Sequence, residues 1–185
     1  MIETALLEAD DKMDKSIDVL RNEFSKIRSG RANPELFTSL LVDYYGAPTP
    51  LQQLASVTVP EARMVIISPF DRTAMKDIER AIQEADLGVN PTDDGQVLRI
   101  NLPALTEERR KEYVKLARSK AEDARISIRG IRRNAKEELE RIKKDGDAGE
   151  DAVERGEKEL EAVTKRFTDQ VDELLDGKET DLMEI

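Results

Sequence analysis

Between Arg109 and Lys136 the chain places seven arginines and four lysines against three acids. That stretch carries +8 in a protein of 185 residues whose formal net charge is −10, so everything outside it carries −18. Guanidinium groups at this density do one kind of chemistry well, which is planar, bidentate hydrogen bonding to phosphate or carboxylate. Spacing decides whether they act together. At ~100° per residue on a helix, Lys111, Arg125, Arg129, Arg132, Arg133 and Lys136 all fall within about 60° of Arg118. A second stripe, Tyr113, Ala117, Ala121, Ala124, Ile128, Ile131, Ala135 and Leu139, runs beside it from about 220° to about 300° on the same scale. One helix therefore buries an apolar stripe and carries a cationic stripe next to it, interrupted by Glu122. The spacing leaves two readings open: the cations pair with acidic neighbours, as solvated helix faces do, or they form a docking surface for an anion. Gly130, mid-helix at roughly 1 kcal/mol against Ala, either permits close approach by a partner or is a tolerated residue at a solvent position.

Little else in the chain is equipped for chemistry. There is no Cys and no His, which removes thiolate and imidazole nucleophiles, bases and metal ligands together. Carboxylate pairs such as Asp93 with Asp94 arise by chance in so acidic a chain, no Gly-rich phosphate loop accompanies them, and "DLGVNPTDDG" lacks the spacing of a calcium loop. These acids belong to turns and solvated surface. Tyr44 and Tyr45 offer rings for stacking, but adjacent strand residues point to opposite faces, one to the core and one to solvent. We therefore expect no catalytic residues, no metal and no cofactor, and a binding protein rather than an enzyme. The amino terminus "MIETALLEADDKMDK" lacks the cationic and apolar regions of a signal peptide, and no apolar run is long enough to span a bilayer. The expected setting is the cytoplasm, with no membrane partner.

A cationic helix of this length needs others to bury its apolar stripe. Ile2, Leu6, Ala9, Met13, Ile17, Leu20, Phe24 and Ile27 recur at steps of three and four, the mark of an amphipathic helix. It ends at "SGRANP", where Gly30 suits a left-handed C′ position and Pro34 bars continuation. From residue 31 to 105 the pattern changes. "LLVDYYG", "LASVTV", "MVIISPF" and "VLRINL" read as strands, "YYGAPTPL" as a proline-fixed turn between two of them, and "DRTAMKDIERAIQEADLG" as a helix that starts at Asp71 or Thr73 and stops at Gly88. After "LPALT" the helical period returns with Thr106 as N-cap and runs to about Lys144, roughly 55 Å at 1.5 Å per residue. "DGDAG" turns the chain into a third helix, in which Val153, Leu160, Val163, Phe167, Val171, Leu174 and Leu182 repeat near heptad spacing. The expected fold is α+β: a three-helix bundle from residues 1–30 and 106–185, with a small β/α domain inserted at 31–105. Two short connections between rigid bodies suit a hinge.

Five long segments carry a resemblance to a known family: "KIRSGRANPELF", "VDYYGAPTPLQQLASVTVPEAR", "DLGVNPTDDGQVLRINLPALTEERR", "ARISIRGIRRNAKEEL" and "KETDLMEI". In this order and over essentially the full length, the chain resembles the bacterial ribosome recycling factor family. The resemblance implies an L-shaped, two-domain monomer, its long arm an elongated three-helix bundle and its short arm a β/α/β domain. It implies a translation factor that binds the post-termination ribosome and, with elongation factor G and GTP, separates the subunits, hydrolysing nothing itself. It also implies that arginines of the central helix meet ribosomal RNA of the large subunit. Carried onto this sequence, "RGIRR" gives Arg129, Arg132 and Arg133 as the leading RNA contacts, with Arg28 and Arg31 beside the hinge; Arg118, Arg125 and Lys136 join the candidate set because they share the same helix face. The hinge falls on Ser29, Gly30 and Arg31 on one side and Ala104, Leu105 and Thr106 on the other.

Overall fold

A computed structural model describes residues 1–184. The chain divides into two compact units, one formed by Met1–Arg28 with Glu108–Met183 and the other beginning with Ser29–Glu107.

The first unit is built from three long helices, α1 (Ile2–Lys26), α5 (Glu107–Lys144) and α6 (Glu150–Met183). Each contributes the stripe that its periodicity dictates: Met13, Ile17 and Leu20 from α1, Ala117, Ala121, Ile128 and Leu139 from α5, Leu160, Phe167 and Val171 from α6, all in one buried cluster. Small residues set how closely the helices approach. Gly156 of α6 faces α1 so tightly that an added Cβ would lie 2.8 Å from Cγ2 of Ile2. Buried Thr164 satisfies its hydroxyl within the helix, donating to the Leu160 carbonyl at 2.8 Å.

The α5–α6 turn closes as its residues require. Gly146 adopts φ +71°, its N–H reaches the Lys143 carbonyl and that of Asp147 reaches Ile142, which together make a Schellman motif. The end of α1 does not follow the expected route. Gly30 is not left-handed; instead Ile27 turns extended at φ −80°, ψ 118°. The reason is a side chain from elsewhere: Lys178 Nζ of α6 donates to the Ile27 carbonyl at 2.8 Å. An orphan carbonyl capped by an ammonium group needs no glycine reversal.

The second unit contains α2 (Glu35–Thr38), β1 (Leu41–Tyr44), β2 (Ala47–Pro50), α3 (Leu51–Leu54), β3 (Ala55–Glu61), β4 (Met64–Pro69), α4 (Met75–Glu84), β5 (Pro91–Asp93) and β6 (Leu98–Asn101). One antiparallel hairpin pairs β1 with β2, and a four-stranded antiparallel sheet runs in the order β3-β4-β6-β5. Met75, Ile78 and Ile82 of α4 share one core with Val65, Ile67, Leu98 and Ile100 of the sheet.

Four details differ from the sequence-based expectation. "YYGAPTPL" is not only a turn, because "APTP" is itself a strand. The turn proper is Tyr45 and Gly46, at φ 50° and 79°, the twist that suits a two-residue hairpin loop. The α4 segment is shorter than residues 71–88 and opens with a 3₁₀ turn, Arg72–Ala74, capped by Asp71, whose Oδ1 accepts from the Thr73 N–H. The segment "NPTDD", with acids expected in turns and solvated surface, supplies the short edge strand β5. Asp71 also accepts from the Tyr44 hydroxyl at 3.0 Å, so it ties the hairpin to the 3₁₀ turn. Tyr44 is half-buried and Tyr45 exposed, but the expected opposite-facing pair is not found: Tyr45 lies in the turn rather than the strand, and the two rings meet edge to face with centroids 4.5 Å apart.

Candidate nucleic-acid interface

The cationic stripe of α5 resolves into two sets. Arg118, Arg125 and Arg132 stand seven residues apart and each reaches an acid on α6. Arg118 Nε lies 2.6 Å from Glu179 Oε1, Arg125 Nη2 2.6 Å from Asp172 Oδ1, and Arg132 Nη2 2.5 Å from Glu161 Oε1. A seven-residue step drifts by only about 20° against a straight helix. These three therefore stay on the flank of α5 that borders the buried stripe, where α6 passes. The pairing raises the Arg118 and Arg125 pKa above the ordinary guanidinium value, chiefly through the hydrogen bonds they donate to Glu179 and Asp172.

Arg129, Arg133 and Lys136 form the second set, all exposed. Arg129 reaches only Glu122 of its own helix, Nη2 to Oε1 at 2.7 Å. Arg133 and Lys136 have no ion-pair partner among the described residues. Glu122 Oε2 also accepts weakly from Arg125 at 3.4 Å. Its carboxyl is held below the usual glutamate range, first by the hydrogen bond from Arg129.

Four of these six cations are paired with acids, Arg118, Arg125 and Arg132 across to α6 and Arg129 within α5, and Arg133 and Lys136 present unmatched charge. Ion pairs this exposed are weak and screened by salt, so an arginine that holds a carboxylate remains able to exchange it for a phosphate. Next to Arg129 and Arg133, Ile126 is exposed, and a Cβ on Gly130 would meet nothing within 4 Å. Gly130 does not make room for packing inside the protein.

The remaining candidates lie where the two units join. Arg28 is half-buried, at the end of the first unit's opening segment. Arg31, in the second unit, pairs with the carboxylate of Glu184. The unit boundaries fall between Arg28 and Ser29 and between Glu107 and Glu108. Sequence reasoning missed the partners rather than the cations: Glu161, Asp172 and Glu179 are three of many acids on α6. The signal that singles them out is the seven-residue step of Arg118, Arg125 and Arg132, which demands a facing helix within reach.

Among the described residues no group of acids is arranged to hold a metal ion, and no helix is long and apolar enough to cross a membrane. The geometry is that of a cationic face on a bundle of long helices. Residues 20–183 match the family model described as ribosome recycling factor. The chain belongs to that family. It is 63% identical over 185 residues to the ribosome-recycling factor of Kineococcus radiotolerans and 62% identical over 185 residues to that of Beutenbergia cavernae, each alignment covering 100% of both chains. A solution structure of the ribosome recycling factor is similar with a TM-score of 0.79 at 36% identity, covering 100% of this chain and 98% of that one. A second solved chain, similar with a TM-score of 0.67 at 41% identity over 100% of both chains, comes from models of the T. thermophilus ribosome recycling factor and the E. coli elongation factor G bound to the E. coli post-termination complex. Long helices packed together, plus a small antiparallel sheet, are therefore the architecture of the family.

Proposed function

We propose that this chain binds the post-termination ribosome in the cytoplasm and, with elongation factor G and GTP, splits it into subunits. The α5 face carries the contact with ribosomal RNA of the large subunit. Arg133 and Lys136 supply unmatched charge, Arg129 exchanges Glu122 and Arg132 exchanges Glu161 for a phosphate, and Arg118 and Arg125 hold α5 against α6. The observation that carries this reading is the exposed, unpaired Arg133–Lys136 pair on a body of net charge −10. Phosphate attraction is long-ranged and independent of sequence, so a local cationic face on an acidic protein fixes orientation as well as affinity.

The chain acts as a monomer and contributes binding and leverage, whereas GTP is bound and hydrolysed by the elongation factor. Ser29, Gly30 and Arg31, with Ala104, Leu105 and Thr106, form the hinge where the chain crosses between its units; Arg28 and Arg31 border it. Leverage of this kind needs a firm grip at one end and freedom at the hinge.

Light scattering on post-termination ribosomes mixed with elongation factor G and GTP tests the proposal. The wild-type chain should give a fall in scattering as subunits part, and Arg133→Glu should abolish it while the circular dichroism of the protein stays the same. Undiminished splitting by Arg133→Glu would overturn the assignment of the α5 face.

A further inference from the structure

Glu122 is the one acid set within the cations of the docking face. Its side chain is half exposed, with Oε1 2.7 Å from Arg129 Nη2 and Oε2 3.4 Å from Arg125 Nη1. Arg125 has a second anchor in Asp172 at 2.6 Å; Arg129 has no other among the described residues. One carboxylate thus spans two guanidinium groups with two oxygens, the arrangement in which a phosphate would also be held.

We propose that Glu122 is a built-in phosphate surrogate: it holds Arg129 in place on the free protein, is displaced when ribosomal RNA docks, and so determines which RNAs bind. The inference rests on the reading of the α5 face given above. An RNA that can offer only one phosphate meets a guanidinium already neutralised and a carboxylate beside it, and gains little by approaching. An RNA shaped to engage Arg133 and Lys136 as well gains enough from those unmatched charges to push Glu122 aside. Discrimination then comes from a repulsive element as much as from attraction. The weakness of an exposed ion pair is what permits the exchange.

Glu140 provides an internal control. Eighteen residues from Glu122 on the same helix, it sits at nearly the same angle, since ~100° per residue returns to its start after about 18 residues. It is exposed and has no ion-pair partner among the described residues. Removing either charge changes the net charge of the face equally; only one removal releases an arginine.

The test uses the full chain as wild type, Glu122→Gln, Glu140→Gln, Arg129→Gln and the Glu122→Gln/Arg129→Gln double variant. Fluorescence anisotropy measures affinity for a short RNA duplex of arbitrary sequence, and cosedimentation measures affinity for large ribosomal subunits. Glu122→Gln should tighten duplex binding roughly two- to fivefold, the size of a surface charge term, and tighten large-subunit binding less. The gain should vanish when position 129 is already Gln, because the two residues act as a pair. An equal gain from Glu140→Gln, a gain that persists without Arg129, or weaker duplex binding by Glu122→Gln would each overturn the proposal. Failure of the ribosomal RNA reading shows separately, as large-subunit binding that Arg133→Glu leaves intact.

Discussion

Arg132 donates from Nε and Nη2 to a single oxygen of Glu161, at 2.8 and 2.5 Å. The pair joins the central helix to the last one, and it occupies the arginine that the family resemblance ranks among the leading RNA contacts. Glu161→Gln should cost at most about 1 kcal/mol of stability, as exposed pairs do, and should strengthen large-subunit binding severalfold by freeing Arg132. Urea denaturation and cosedimentation check the two halves; weaker binding by Glu161→Gln would mean that the pair serves to orient Arg132.

Asp71 is the tie between hairpin and 3₁₀ turn. Its carboxyl is held below the usual aspartate range, first by hydrogen bonds from Thr73 and then by the Tyr44 hydroxyl. A depressed carboxyl contributes stability that is complete above its unfolded value of about 3.9 and is lost as pH falls through the folded value. Asp71→Ala should therefore lower the thermal midpoint by a few degrees near neutral pH, and the difference from wild type should shrink in acid. Thermal unfolding followed between neutral pH and strong acid reads both.

Lys178 gives the same direction of pH dependence, but in the alkaline range. Burial lowers its pKa, partly offset by Asp181, so the unfolded chain binds more protons at this site just below the ordinary lysine value of about 10.4. Stability from this group rises with pH through that window. Comparing wild type with Lys178→Met by denaturation from about pH 8 to about pH 10.4 should show the rise only where Lys178 is present. Raised lysines such as Lys15, Lys143 and Lys165, each held up first by a hydrogen bond to its acid partner, act in both proteins and cancel.

Two helical glycines should respond differently to alanine. Gly130→Ala meets open space and should stabilise the chain by roughly 0.5–1 kcal/mol through reduced backbone freedom. Gly156→Ala must push Ile2 aside at 2.8 Å, so that gain should be cancelled or reversed. Equilibrium denaturation separates them, and large-subunit binding by Gly130→Ala shows whether an RNA needs the space beside Arg129.

The long helices were readable because their apolar residues recur over many turns, and the ends at Lys144 and Glu150 because "DGDAG" supplies a left-handed glycine. Strand β2 was not, because Pro48 and Pro50 mimic a turn. The register explains how a strand tolerates them: Leu51 donates to the Leu40 carbonyl at 2.8 Å, so odd-numbered residues face the partner and both prolines face away from it. Gly30 misled for the reverse reason, a good local signal overruled by Lys178 from more than a hundred residues away. On α5 the periodicity placed Arg118, Arg125, Arg129, Arg132, Arg133 and Lys136 on one face but could not divide the face, since that division depends on where α6 passes. Only the fold distinguishes Arg132, taken by Glu161, from its neighbour Arg133, which is free of any such partner among the described residues.

The salt dependence of large-subunit binding, measured for wild type, Arg133→Gln and Arg118→Gln, tests the central claim most directly. Arg133→Gln should weaken binding and reduce the slope of log affinity against log salt by roughly 0.7–0.9, the amount expected when one phosphate contact is lost. Arg118→Gln, whose charge is matched by Glu179, should leave the slope within error of wild type. A slope unchanged by Arg133→Gln, or reduced equally by Arg118→Gln, would contradict the account.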